Sequence, residues 1–184
     1  MKMQYDKGLI SHKLARWDKF ITEYHLPDWD AIPDLGLYMD QVIVLLEQYL
    51  TFIPAPTGSK ERFVTSSTIN NYVRLKIMPA PVKRKYHRIH IAYLIMILTM
   101  KQSLSISDVQ KILPQDSSEA IVRAVYEDYS LKFRRVGLFF NQQVQSGSEG
   151  IRSANEQNGN NAVELLVIER ALIGGFSKIL AGKL

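Results

Sequence analysis

The stretch VTSSTINNYVRLKIMPAPVKRKYHRIHIAYLIMILTMKQSLSISDVQKIL, residues 64–113, decides the reading of this chain. It opens on four hydroxyl residues, Thr65, Ser66, Ser67 and Thr68, any of which can cap the first turn of a helix. From there Ile69, Tyr72 and Val73 share one helical face, while Ser67, Asn70, Asn71 and Arg74 occupy the other at i, i+3, i+4 and i+7. Pro79 and Pro81 forbid continuation. VKRKY then forms a compact basic turn, and its composition leaves open a β-hairpin or a tight loop. A strongly apolar helix is expected over residues 88–102, with Ile91, Leu94, Ile95, Leu98 and Met96 inward. A short one follows over 105–113, capped by Ser105 or Ser107 and stopped by Pro114.

Charge is concentrated in the same place. Between Arg62 and Ser107 there is no Asp or Glu, while Arg62, Arg74, Lys76, Lys83, Arg84, Lys85, Arg88 and Lys101 supply eight positive charges. The formal net charge is +5, so the rest of the chain carries a net −3. A surface that neutralises phosphates needs this segregation, and a uniformly solubilised surface does not.

Working outward, residues 9–24 place Ile10, Leu14, Trp17, Ile21 and Tyr24 at helical steps, and HLPDWDAIPDLG, residues 25–36, breaks that pattern. A helix is expected over 37–50 with Tyr38, Val42, Leu45 and Tyr49 on one face, then a Pro- and Gly-containing loop over 52–60. Beyond the quoted stretch, one long helix is expected over 117–145, its stripe being Ile121, Val125, Tyr129, Lys132 or Phe133, and Val136. A Gly-, Ser- and Asn-rich loop is expected over 147–161. Residues 162–184 are apolar on more than one face, which calls for burial in the core or in a partner. No heptad is evident in that segment.

Composition removes several classes. Without cysteine there is no thiolate catalysis, disulfide framework or Cys-ligated zinc, and a cytoplasmic location is expected. The longest apolar run, residues 91–100, falls short of the roughly 20 residues a membrane span requires. His87 and His90 are three apart but lie among cations with no third ligand in reach, so no metal is expected. Asp28, Asp30 and Asp34 lack the pattern of a calcium loop and are read as capping and turn residues, with the tryptophans and tyrosines as core. No Gly-rich phosphate loop, nucleophile elbow or HExxH is present; the expectation is a non-enzyme without cofactor.

VTSSTINNYV resembles the start of the recognition helix in the MerR family of transcription regulators. Val64, Thr68, Ile69 and Tyr72 match that family's Val-Ser-x-x-Thr-Ile-Arg-Tyr-Tyr pattern. Residues 77–81 are similar to its Gly-Leu-Leu-x-Pro, with Lys76 where glycine is usual. Arg84 and Tyr86 fall where its wing carries Tyr-Arg-x-Tyr, and SLSISDVQKIL is similar to its Gly-Phe-Ser-Leu-x-Glu-Ile-x-x-Leu-Leu. The chain also resembles an uncharacterised bacterial domain-of-unknown-function family of predicted MerR-like DNA-binding proteins.

The resemblance implies a mostly α fold. N-terminal helices and a loop (1–60) would precede a winged helix-turn-helix (61–114), with a C-terminal helical region (115–184) for packing or oligomerisation. It implies a transcriptional regulator whose recognition helix, about residues 67–75, reads the major groove of double-stranded DNA while a basic wing, 82–88, contacts phosphates. Asn suits the donor and acceptor edge of adenine and Arg that of guanine. The expected contact residues are Ser66, Ser67, Thr68, Asn70, Asn71, Tyr72, Arg74, Lys76, Lys83, Arg84, Lys85, Tyr86 and Arg88. A homodimer is expected, joined through residues 163–180 or 117–145, with a small-molecule effector left open. The competing reading is a helical interaction or small-molecule-sensing module that keeps the winged motif as scaffold without binding DNA.

Overall fold

The computed structural model describes residues 6–53, 63–154 and 158–184. Their regular structure is helical: α1 Lys7–Glu23, a single 3-10 turn Trp29–Ala31, α2 Met39–Tyr49, α3 Ser66–Arg74, α4 Arg88–Met100, α5 Ile106–Ile112, α6 Glu119–Ser153 and α7 Gly159–Ala181. The expected loop over 52–60 lies, from residue 54 onward, outside the described residues, as does Arg62. No helix among the described residues is long and apolar enough to cross a membrane. The chain divides into a central unit, Leu26–Leu131, and a terminal unit built from Met1–His25 and Lys132–Leu184, with α6 contributing residues to both.

The central unit is organised on α4. Every residue from His90 to Thr99 is buried, so this helix has no solvated face, and the inward stripe expected from periodicity understates its burial. A helix apolar all round must be enclosed. Val42, Ile43 and Leu46 of α2, Ile69 and Tyr72 of α3, Val109 of α5, Trp29, and Val122 and Tyr126 of α6 complete the core. The buried hydroxyls find partners, whereas Trp29 Nε1 has none: Tyr93 donates to the Pro114 carbonyl at 2.8 Å and Tyr126 to that of Pro27 at 2.7 Å. Thr99 donates to the Ile95 carbonyl at 2.8 Å, which leaves the Tyr129 hydroxyl, 2.6 Å away, as the donor to Thr99.

In the terminal unit α1 runs antiparallel to α6. Tyr24 meets Phe133 with ring centroids 6.1 Å apart, Trp17 meets Phe140 at 6.3 Å, and Asn141 donates to Asp18 at 2.7 Å. The stripe expected on α6 is displaced by one position: Val122 and Tyr126 are buried, whereas Ile121 and Val136 are exposed. The loop expected from residue 147 is instead the last two turns of α6. Gly147 brings α6 close to Leu166 of α7: a Cβ would lie 2.9 Å from Leu166 Cδ1, so a larger residue would displace that side chain.

Candidate nucleic-acid interface

Local chemistry sets α3 as the sequence implies. Thr65, extended at φ −125 and ψ 162, caps the helix by accepting from Thr68 N at 3.2 Å, and its hydroxyl also meets that of Thr68 at 3.0 Å. The helix ends in a Schellman motif: Ile77 N donates to the Tyr72 carbonyl at 3.0 Å and Lys76 N to that of Val73 at 3.0 Å. This geometry requires a left-handed residue, and Lys76 fills it at φ 55. Ser66, Ser67, Asn70 and Arg74 are exposed, and Asn71 is half-buried. Arg74 donates to Asn71 Oδ1 at 2.6 Å, so these two side chains hold each other across one turn of the exposed face.

The basic turn is tighter than a loop. Val82 and Lys85 exchange both backbone hydrogen bonds, at 3.0 and 2.9 Å, around only two residues, Lys83 and Arg84. Both central residues are left-handed, with φ 49 and φ 64, which is the signature of a type I′ turn. That turn normally selects Asn-Gly, since a Cβ in this conformation costs about 1–2 kcal/mol per residue. Both cations are exposed at the tip.

Tyr86, next along, exchanges hydrogen bonds with Leu37 at 2.8 Å in each direction, tying the turn to the segment that enters α2. Gly36 makes that approach possible at φ 68, because a Cβ there would lie 3.1 Å from Lys85 Cδ. Lys85 is half-buried, its ammonium 5.4 Å from the Tyr38 ring centroid. His90 holds the loop from the other side: its Nδ1 accepts from His87 N at 2.9 Å, and its Nε2, which then carries the proton, donates to the Ala80 carbonyl at 3.1 Å. Burial holds the His90 pKa below the ordinary histidine value and keeps the ring neutral.

Three expected contact residues belong elsewhere. Tyr72 and Tyr86 are core side chains, 5% and 3% exposed. Arg88 is held inward, its Nε donating to the Ile32 carbonyl at 2.8 Å and its guanidinium lying 5.8 Å from the Trp29 ring centroid and 3.5 Å from Asp30. The aspartates thus do more than shape a turn. Asp34 caps α4 by accepting from Arg88 N at 3.1 Å and lies 3.3 Å from His87 Nδ1, while Asp30 also meets Arg123 at 3.2 Å. Thr68 is occupied by its bond to Thr65.

The exposed set is therefore Ser66, Ser67, Asn70, Arg74, Lys76, Lys83 and Arg84, with Asn71 and Lys85 half-exposed beside them. Among the described residues, no carboxylate forms an ion pair with Arg74, Lys76, Lys83, Arg84 or Lys85. Sequence reasoning overlooked the roles of Tyr38 and Gly36, which depend on the approach of residues about fifty positions away; a glycine immediately before an apolar helix was the available signal, and its left-handed φ is seen only in the structure.

No curated protein and no solved structure matches the chain. A family model described as a domain of unknown function (DUF1836) matches residues 27–129. The match spans more than half of the chain and nearly coincides with the central unit, so it takes in α2 to α5 and every residue of the exposed basic set. The protein belongs to the family of this domain of unknown function, DUF1836.

Proposed function

We propose that the central unit is a MerR-like winged helix-turn-helix, the DNA-reading head of a homodimeric transcriptional regulator without enzymatic activity. In this reading α2 is the scaffold helix and α3 the reader. The turn 82–85, bridged through Tyr86 to Leu37, is a minimal wing. The observation that carries it is the left-handed pair Lys83 and Arg84: two cations sit where Asn and Gly would cost less, and they are exposed, unpaired with carboxylates, and tied to the unit's core through Tyr86. Backbone strain retained at an exposed charged turn is best understood as a functional placement. Lys83 and Arg84 contact phosphates, and Ser67, Asn70 and the Asn71–Arg74 pair face base edges.

Retention of the pure protein on random duplex DNA across a salt series tests this. Binding that weakens steeply with salt is expected, together with a sequence preference, selected from a random duplex pool, that Arg74→Ala relaxes at one or two base pairs. Absence of salt-sensitive retention would leave the winged motif as scaffold and refute the proposal.

A further inference from the structure

The terminal unit holds a cleft of about 360 Å³ between α1 and α7, floored by Ile151 of α6, which is 1% exposed. Its volume lies within the range of small-molecule sites, about 300–1,000 Å³. Ile10 and Leu166 line its sides. Leu9 and Val167 stand at its rim, 52% and 55% exposed, so the chain leaves apolar walls of this cleft uncovered. Along α1 the cleft runs from Asp6 to Leu14, about 12 Å at 1.5 Å per residue, the length of an extended chain of roughly ten carbons. An alkyl chain laid on those walls removes apolar surface from water on both partners.

Three polar residues border the cleft: Asp6, Lys13 and Asn160. Asp6 is occupied, because its carboxylate caps α1 by accepting from Leu9 N at 2.9 Å and sits where the helix dipole favours negative charge. Lys13, two turns along, is exposed, and among the described residues it pairs with no carboxylate. Arg16, three residues further and so on the same side of α1, is likewise exposed and in no ion pair. Asn160, exposed near the start of α7, carries no charge. The unmet charge at the mouth is therefore positive and lies towards one end. An apolar body with a single anionic end matches this distribution. An amphipathic cation would meet Lys13 and a carboxylate already committed to the helix.

We propose that the cleft binds a free medium-chain monocarboxylate, its alkyl chain lying over Ile151 between Leu9 and Val167 and its carboxylate at Lys13. This assigns a place and a chemical class to the effector that the resemblance leaves open. The site belongs to the terminal unit and rests on no part of the DNA reading. Its test contains no DNA, so either proposal can fail alone.

Calorimetric titration of the full chain with monomeric decanoate should give saturable binding with a dissociation constant on the order of 0.1–1 mM, as expected for about twelve non-hydrogen atoms. Decylammonium, of equal chain length and opposite charge, should bind at least about threefold more weakly. Lys13→Glu should invert that preference, and Val167→Trp, which fills the cleft from its exposed wall, should weaken both ligands about tenfold or more. Positions 13 and 167 are exposed, so both variants should melt like the wild type. A diazirine-bearing decanoate should label peptides of α1 or of the first half of α7. Absence of saturable decanoate binding would overturn the proposal, and so would labelling confined to residues 171–184 or unchanged affinity in Val167→Trp. Equal affinity for the two ligands, unmoved by Lys13→Glu, would overturn the place of the carboxylate at Lys13. Flotation with anionic phospholipid vesicles, without uptake of monomeric decanoate, would overturn the site in favour of a lipid surface.

Discussion

Replacing Lys83 and Arg84 by Asn and Gly separates fold from function at the turn most directly. Both native residues hold left-handed backbone, φ 49 and φ 64, in a two-residue turn closed by Val82 and Lys85. Relief of about 1–2 kcal/mol at each position, less about 0.4–1 kcal/mol for the extra unfolded-state freedom of glycine, gives a net stabilisation of about 1–3.5 kcal/mol. For a unit of this size, in which 1 kcal/mol moves Tm by about 4 °C, that raises Tm by roughly 4–14 °C in a calorimetric or circular-dichroism melt. The same change removes two candidate phosphate contacts. The slope of log K against log salt should then flatten by up to about 1.8, and affinity at 0.1 M salt should fall about sixty-fold relative to that at 1 M. A stabilised protein with an unaltered salt slope would refute the functional account of the strain. A destabilised one would refute the strain itself.

Arg88→Met should lower stability by about 1–3 kcal/mol in a denaturant titration, because it strands the Ile32 carbonyl, while Asp30 keeps Arg123 and the exposed cations are untouched; the salt slope of DNA binding should be unchanged. His90 has a depressed folded-state pKa, so the unfolded chain binds the extra proton first. The stability this represents is fully present above the ordinary histidine value near 6.5 and is lost as pH falls below it. Tm of the wild type should therefore drop more steeply below about pH 6.5 than Tm of His90→Gln, and parallel profiles would exclude His90 as the source. Gly147→Leu should destabilise the terminal unit by about 1–3 kcal/mol through forced separation from Leu166, whereas Gly150→Leu, with open space around it, should not.

Local chemistry by itself determined much of the reading stretch. A hydroxyl cap before α3, the polar face of that helix, the stop before Pro79, a serine start for α5 and the acid-free window are all properties of neighbours in sequence; which hydroxyl caps, Thr65 and Ser105, is seen only in the structure. The side chains that changed role did so through distant partners. Arg88 meets an aspartate 58 positions upstream, and Tyr86 is covered because Leu37 pairs with it. Periodicity reports which face of a helix is apolar, not how many neighbours enclose it, which is why α4 proved buried all round. It also gives no warning that lysine and arginine occupy left-handed positions, since their intrinsic preference is against them. In α7 apolar residues lie on both sides, and only packing against Gly147 separated the face the chain covers by itself from the one it leaves exposed. A hydrophobic pattern records that surface must leave water; the tertiary structure decides what covers it.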